Sequence, residues 1–247
     1  MVTARALDGL PEIAAGSDLG ALIAERASLR VGDVVVVAHK AVSKAEGRVR
    51  PLTDVVPGVR ARELAPAHGK DPRHVQVVLD ETRELLRAQR GVLICVTHHG
   101  FVCANAGVDA SNALPGTLVL LPTDPDASAR ALRTRLHQLT GTAPGVVITD
   151  SFGRAWRHGQ TDVAIGAAGI APLEDWRGRA DAGGRALHAT WIALADQIAA
   201  TADLTRAKDS RQPVVVLSGL DRHVLAPDDN GPGATALLRP ANEDLFR

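Results

Sequence analysis

Short, continuous apolar runs constrain the fold of this chain more than any other feature of its sequence. Asp33–Ala38, Gly145–Ile148 and Pro213–Ser218 are rich in valine, and each run predicts a buried β-strand. Segments with helical spacing lie between them, such as the one that Asp124 caps and Gly141 ends. Strands and helices alternate without the regular rhythm of βαβ units. This pattern predicts an α+β fold with a mixed sheet rather than a doubly wound parallel sheet.

Two other stretches predict long helices. Asp71–Arg87 begins with an Asp-Pro pair, a common helix start, and carries an apolar stripe at helical spacing. Leu187–Leu204 is rich in alanine and predicts a second long helix. The strand over Gly145–Ile148 is expected to give way to a loop. Asp150 and Ser151 would then lie at a strand end, where a rigid scaffold often presents reactive groups.

Charge and aromatic content exclude several classes of protein. The 247 residues carry 28 basic and 28 acidic side chains, and this balance argues against nucleic acid or an acidic membrane surface as the main partner. There are no tyrosines and only three phenylalanines and three tryptophans, so a base-stacking platform is not expected. Two isolated cysteines, Cys95 and Cys103, fit buried thiols in a reducing compartment. Because no apolar run is long enough to span a bilayer, we expect a cytoplasmic protein.

A dense group of polar residues follows the strand at Gly145–Ile148. Asp150, Ser151, Arg154 and Arg157 occur within a few positions of one another. A hard-cation ligand beside guanidinium groups, which bind phosphate or carboxylate with two parallel hydrogen bonds, suits phosphoryl chemistry on an acid. A solvated polar turn is the alternative interpretation.

Two more polar groups are candidate partners for this segment. His39, Lys40 and Lys44 come directly after a predicted strand. Asp109 and Asn112 lie among small residues, which let the backbone approach a ligand closely. For the first group a surface turn is the structural alternative, and for the second an Asx-rich turn.

Four motifs together resemble one known family. They are GLP at 9–11, SKAEGR at 43–48, NAGVDASN at 105–112 and TDSFGRAWRHGQTDVAIG at 149–166. In content and order they are similar to the coenzyme F420-0:L-glutamate ligase family, also called F420 γ-glutamyl ligase, over about Leu7 to Leu220. The resemblance implies GTP-dependent formation of an amide between coenzyme F420-0 and L-glutamate, followed by γ-linked glutamates. It also implies a fold particular to the family, with two interleaved subdomains and an intertwined homodimer.

The same resemblance sets expectations for the domain organisation. In actinobacterial relatives this domain precedes a flavin-binding domain. We expect a single ligase domain over residues 1–247, possessing two discontinuous subdomains and no C-terminal flavin-binding domain.

The resemblance also implies a metal-dependent site. Asp109 and Asp150 match positions that hold a divalent cation, and Ser151 matches a hydroxyl ligand of a second one. Two Mg²⁺ or Mn²⁺ ions are therefore expected, with K⁺ as a further ion in some members of the family.

Nucleotide contacts are implied in several segments. Lys44 and Asn112 match side chains that contact the nucleotide. Other implied contacts are Pro11, Glu12, Ile13, Ala14, His39 and Lys40, and from its charge Lys208 is also expected to contact the nucleotide phosphates. His39 and Lys40 stand where some members have small hydroxyl residues. The connector Thr205–Gln212 aligns with a glycine-rich loop but has no glycine, so we expect a different loop geometry.

The expected chemistry explains why these residue types are needed. A free carboxylate is a poor electrophile, so GTP would first convert it to an acyl phosphate that the glutamate amine attacks. Phosphoryl transfer of this kind needs positioning and charge neutralisation. Lys44 would supply a point charge to phosphate, and Arg154 and Arg157 would grip phosphate or an incoming carboxylate. A non-catalytic nucleotide- or metal-binding module and a metal-dependent phosphohydrolase are the alternative functions.

Overall fold

A computed structural model describes residues 1–244, and the part of the expected domain that covers residues 245–247 lies outside this description. The helices are α1 (Leu19–Ala24), α2 (His39–Ala45), α3 (Val59–His68), α4 (Pro72–Asp80), α5 (Pro125–Thr140) and α6 (Leu194–Asp203). The strands are β1 (Thr3–Ala6), β2 (Val34–Ala38), β3 (Val49–Pro51), β4 (Thr82–Gln89), β5 (Val92–Thr97), β6 (Val102–Ala104), β7 (Thr117–Val119), β8 (Gly145–Arg154), β9 (Arg157–Ala168), β10 (Glu174–Asp175), β11 (Trp191–Ile192) and β12 (Val214–Ser218). None of these helices is long and apolar enough to cross a membrane.

The central sheet has five strands in the order β1-β12-β2-β8-β9. β2 and β8 run parallel, whereas the other neighbouring strands are antiparallel. β1 lies at one edge and pairs with β12, which comes from the far end of the chain. The mixed sheet and its separate helices confirm the predicted α+β class.

The middle of this sheet is buried on both faces, which explains its continuous apolar runs. On β2, Val35 and Val37 belong to a core shared with α1 and α5. Val34 and Val36 belong to the opposite core, which α6 covers. Successive side chains of a strand point to opposite faces, so each face receives two fully buried valines. Burying each such side chain contributes roughly 1.5–3 kcal/mol.

Residues 49–121 form an insert between α2 and α5. The insert contains α3, α4, the pair β3–β7 and the three-stranded sheet β4-β5-β6, and it has a hydrophobic core of its own. Phe101 and Leu121 also join it to the central core. Gly107 allows the backbone of the insert to lie close to the Leu121 side chain. Its φ is +70°, and a Cβ there would lie 2.7 Å from Leu121 Cγ. The division into two interleaved subdomains stays a prediction.

The helix predicted over Asp71–Arg87 is wrong beyond Asp80. α4 ends there, and Thr82–Gln89 forms β4, which pairs antiparallel with β5. Leu85, from the apolar stripe that suggested a helix, packs against the core of the insert from this strand. Strand pairing therefore overrides the helical pattern, as tertiary contacts often do.

The second long helix is shorter than predicted. Within Leu187–Leu204 only Leu194–Asp203 is helical, as α6. Trp191–Ile192 forms β11 and pairs with β10 instead. The guanidinium carbon of Arg177 lies 4.3 Å from the centre of the Trp191 ring, a cation–π contact that favours this arrangement.

The strand predicted to end near Ile148 continues further. β8 extends to Arg154 and returns as β9 in an antiparallel hairpin. Asp150 and Ser151 therefore lie inside a strand rather than in a loop, which corrects the expectation. Backbone pairing with β9 holds this polar part of the chain extended.

A buried arginine holds the segment that follows β12. Arg133 on α5 is only 2% exposed. Its guanidinium donates hydrogen bonds to Pro144 O, Leu225 O, Ala226 O, Pro227 O, Asp229 O and Asn230 Oδ1. Gly169 leaves room for this side chain, since a Cβ there would lie 2.2 Å from Arg133 Nε. The segment over residues 225–230 is thus tied to α5 mainly through backbone carbonyl groups.

The carboxyl group of Asp196 on α6 is expected to make folding pH-dependent. Burial raises its pKa above the ordinary value, although its Oδ1 accepts the N–H of Ala164. A carboxyl whose folded-state pKa is raised stabilises the fold while protonated, and this contribution is lost as the pH rises through that pKa. Asp196→Asn keeps the acceptor oxygen without the ionisation. Urea denaturation should show the variant gaining stability relative to the native protein between pH 4 and pH 8, about the range above the unfolded carboxyl pKa. A stability difference independent of pH would contradict this prediction.

Candidate active site

One cavity of about 500 Å³ lies at the carboxyl end of β2, beside β8. In sheets with parallel strands, this end is where ligands usually bind. Its walls come from the N-terminal loop, α2, the insert, the β8–β9 hairpin and the connector Thr205–Gln212. Segments that are far apart in the sequence therefore meet around one space.

Most of the sequence-predicted site residues line this cavity. They are Pro11, Glu12, Ile13, His39, Lys40, Lys44, Asn112, Asp150, Ser151 and Lys208. Ala14 follows directly after the lining segment but is not part of the lining. Asp109 is not part of it either and is connected to the cavity through Lys40. The structure thus brings the three predicted polar groups together, as a common site requires.

Arg154 and Arg157 lie at the tip of the β8–β9 hairpin and do not line the cavity. Both residues are exposed, and Arg154 Nη2 donates a hydrogen bond to His158 O at 2.9 Å. The geometry of this chain does not support their expected role in gripping phosphate or carboxylate. That role stays a prediction.

Asp150 is held as a shielded, ionised carboxylate. Its side chain is 12% exposed, and Oδ1 lies 3.2 Å from Nε2 of the buried His39. The two atoms are close but do not form a well-aligned hydrogen bond, because Nε2 has no satisfactory hydrogen-bond partner among the described residues. Burial raises the pKa of Asp150, but His39, Lys40 and the Ser151 N–H lower it by more. The resulting pKa lies below its ordinary value.

Asp109 is neutralised by a lysine of the cavity wall. Lys40 Nζ lies 2.8 Å from Asp109 Oδ2. The N–H and the hydroxyl of Ser111 each donate to the same carboxylate at 2.7 Å, so the predicted Asx turn is present as well. Burial raises the pKa of Asp109, but Lys40 and Ser111 bring it below its ordinary value. Asn112 follows with a left-handed φ of 53°, which asparagine tolerates better than most residues.

Lys44 enters the cavity from α2 and meets an acidic residue of the N-terminal loop. Its Nζ lies 2.5 Å from Glu12 Oε1. The lysine side chain is 19% exposed, whereas that of Glu12 is 79% exposed. Because Glu12 is solvated, this pair costs little to separate, and Lys44 can exchange it for an anionic ligand.

Sequence reasoning missed Asp162 as a site residue. Asp162 lines the cavity, is 3% exposed and accepts hydrogen bonds from Thr149 Oγ1 at 2.9 Å and Ser151 Oγ at 2.6 Å. It also forms a buried ion pair with Arg206 of the connector. The structure explains its position, because Ser151 and Asp162 are direct partners in the β8–β9 register.

Arg206 is engaged by the fold rather than free for a ligand. Besides Asp162, it donates to Thr149 Oγ1 at 2.8 Å and to Pro213 O at 3.0 Å. These bonds hold the connector against the sheet. Arg211 has a left-handed φ of 56° within this connector, at a loop where relatives are expected to carry glycines.

The first expected metal site fits the residues present. Asp109 and Asp150 are oxygen donors whose pKa values lie below the ordinary value; Lys40 pairs with Asp109, and His39 Nε2 lies close to Asp150. Mg²⁺ commonly takes one or two protein carboxylates and completes its coordination with water and substrate phosphates. Residues 1–244 contain no group of three or more His, Cys, Asp or Glu side chains able to hold a metal, so water and substrate would have to supply most of the ligands.

The second expected metal site does not fit. The Ser151 hydroxyl donates to Asp162 Oδ1 and accepts a hydrogen bond from Lys208 Nζ. A lysine ammonium group thus already occupies the open side of this oxygen.

Known proteins are similar to this chain over most of its length. A family model described as F420-0:Gamma-glutamyl ligase matches residues 9–219. The coenzyme F420:L-glutamate ligase of Methanopyrus kandleri is 46% identical over 233 residues, which are 94% of this chain and 92% of the relative. The protein of that name from Methanothermobacter thermautotrophicus is 39% identical over 98% of this chain and 97% of its own length. The one from Methanocaldococcus jannaschii is 43% identical over 87% and 85%, respectively. This chain belongs to the F420-0:gamma-glutamyl ligase family.

Proposed function

We propose that this protein is a GTP-dependent ligase that joins the carboxylate of coenzyme F420-0 to the amine of L-glutamate and then adds γ-linked glutamates. The observation that carries the proposal is the convergence of Asp150 with Lys40, Lys44 and Lys208 at one cavity, to which Lys40 also joins Asp109. The names of the relatives support the ligase class and its substrates. GTP dependence, the acyl-phosphate route, K⁺ and the homodimer are carried over from the family resemblance.

The cavity provides positive charge where phosphoryl transfer needs it. Transfer of the γ-phosphate to the F420-0 carboxylate gives an acyl phosphate, which the glutamate amine attacks to form the amide and release phosphate. Lys44 would exchange its contact with Glu12 for a hydrogen bond to a phosphate oxygen. A divalent cation held by Asp109 and Asp150 would supply further neutralisation of phosphate charge. His39 contacts Asp150 and thereby orients its carboxylate.

The route needs no protein nucleophile, and the cavity offers none that is free. Ser151 carries a hydroxyl at its wall, but this group already donates to Asp162 and accepts from Lys208. No cysteine is among the residues that line the cavity. The chain's contribution is therefore positioning and electrostatic stabilisation, the main demands of phosphoryl transfer.

The decisive assay follows GTP consumption and product mass with each substrate omitted in turn. A ligase consumes GTP only when both F420-0 and glutamate are present, and the product mass rises by whole glutamate residues. Consumption without an acceptor indicates a phosphohydrolase instead. Tight GTP binding without any consumption indicates a non-catalytic module.

Lys44→Met is expected to weaken GTP binding roughly ten- to hundredfold, because a charge-assisted hydrogen bond contributes about 1.5–3 kcal/mol. The change removes the ammonium group and keeps most of the side-chain volume. Calorimetric titration with GTP measures the effect. Lys70→Met is the matched control, since Lys70 lies outside the cavity lining. Equal losses in both variants would mean that overall charge, and not a specific contact, governs affinity.

A further inference from the structure

The ammonium group of Lys208 sits among three oxygen atoms at the cavity. Nζ lies 2.5 Å from Ser151 Oγ, 3.6 Å from Asp162 Oδ1 and 3.5 Å from Asp203 Oδ1. Two of these oxygens belong to carboxylates that are largely buried, with exposed side-chain fractions of 3% and 24%. The Lys208 side chain as a whole is 67% exposed, so it extends from the surface of the connector to these oxygens.

The hydroxyl of Ser151 is oriented by this arrangement. Ser151 Oγ donates its proton to Asp162 Oδ1, and the two oxygen atoms are 2.6 Å apart. The lone pairs of Oγ are therefore left to face Lys208. A metal ion bound to the remaining lone pair of Ser151 would lie directly beside the ammonium group. Repulsion between these like charges makes their joint binding at this oxygen unfavourable.

The charges in the cluster formed by Lys208, Asp162 and their ion-pair partners are already balanced. Asp162 and Asp203 carry two negative charges, while Arg206 and Lys208 carry two positive ones. A divalent ion added beside Lys208 would leave an uncompensated charge of about two units and would lie next to a like charge, which is unfavourable. Without Lys208, the same oxygens would face the cavity with one negative charge in excess.

We propose that the Lys208 ammonium group takes the place of a second metal ion, so that the cavity holds one divalent cation, at Asp109 and Asp150. The proposal rests on the proposed function only in taking the cavity to be the site of a metal-assisted reaction. It replaces the two-cation expectation from the family resemblance with a one-cation site that has a fixed positive charge beside it.

Manganese titration tests the proposal by counting ions. Free Mn²⁺ is followed by electron paramagnetic resonance, with Mn²⁺ alone and again with saturating non-hydrolysable GTP analogue. The native protein should bind one Mn²⁺ per chain at this cavity, and Lys208→Ala should bind one more than the native protein. Lys208→Arg retains the charge and should match the native protein. Lys70→Ala, which removes a lysine outside the cavity lining, should also match it.

The location of the added ion provides the second measurement. Adding Asp162→Asn to Lys208→Ala should weaken Mn²⁺ binding at the new site by at least about tenfold, which is the low end of the effect of perturbing a metal site. Crystals of Lys208→Ala soaked with Mn²⁺ should show an anomalous peak at Ser151 that native crystals lack. Two ions in the native protein, an unchanged count in Lys208→Ala or a peak elsewhere would each overturn the proposal. Failure of the GTP analogue to bind would count against the proposed function alone, because the difference in ion number is also measured without nucleotide.

Discussion

Asp150→Asn is expected to reduce the ligation rate at least about tenfold, the scale on which perturbed metal sites lose activity. The change removes a negative charge without altering the size of the side chain. Asp150 is the more shielded of the two proposed cation ligands, and its ionised state is maintained by His39, Lys40 and Ser151. Initial rates of amide formation at limiting Mg²⁺ measure the effect, and circular dichroism checks that the variant is folded.

Asp109→Asn should have an effect of the same kind, since both carboxylates are proposed to hold one ion. Asp54→Asn is a suitable control, because this residue is exposed and lies outside the cavity lining. Near-native turnover of Asp150→Asn or Asp109→Asn at limiting metal would show that the substituted residue is not a ligand. A metal requirement shifted to higher Mg²⁺ concentration would support ligation by either residue.

Arg133→Met is expected to lower the free energy of unfolding by roughly 3–5 kcal/mol, because several acceptors lose a charged donor at once. Most of these acceptors are backbone carbonyls of residues 225–230, and nothing else in α5 replaces the guanidinium at this buried position. Urea denaturation monitored by tryptophan fluorescence measures the loss.

The neighbouring Arg135 on the same helix offers a matched control. Arg135 pairs with Asp18, and both side chains are more than 40% exposed. Arg135→Met should therefore leave the free energy of unfolding nearly unchanged, as is usual for an exposed ion pair. Similar losses for Arg133→Met and Arg135→Met would refute the argument from burial.

The sequence located the polar residues that line the cavity better than it located the boundaries of several elements. Residues such as Lys44 and Asp150 could be found because polar groups that follow buried strands stand out against apolar surroundings. Thr82–Gln89 could not be assigned from its pattern, because leucines at helical spacing also serve the strand that pairs with β5. Only contacts from elsewhere in the chain decide between the two structures.

The roles of Asp162 and Arg206 could not be predicted from the sequence for a related reason. Their ion pair joins residues 44 positions apart in the sequence, and the β8–β9 register places Asp162 opposite Ser151. The hairpin itself was hidden, since its polar half lacks the apolar alternation that marks a strand. Lys208 was predicted to lie at the site, but its position on Ser151 depends on how Arg206 anchors the connector.

The strand order of the central sheet determines when its strands can pair during synthesis of the chain. β12 lies between β1 and β2, so the first strand to leave the ribosome finds its partner only when residues 214–218 have emerged. Until then the edge of β2, made of consecutive valines, has no neighbour on that side. An unpaired apolar edge is a template for association with other chains. Nascent or truncated chains that end before residue 214 should therefore depend on chaperones, and the cavity can close only at the last stage of folding.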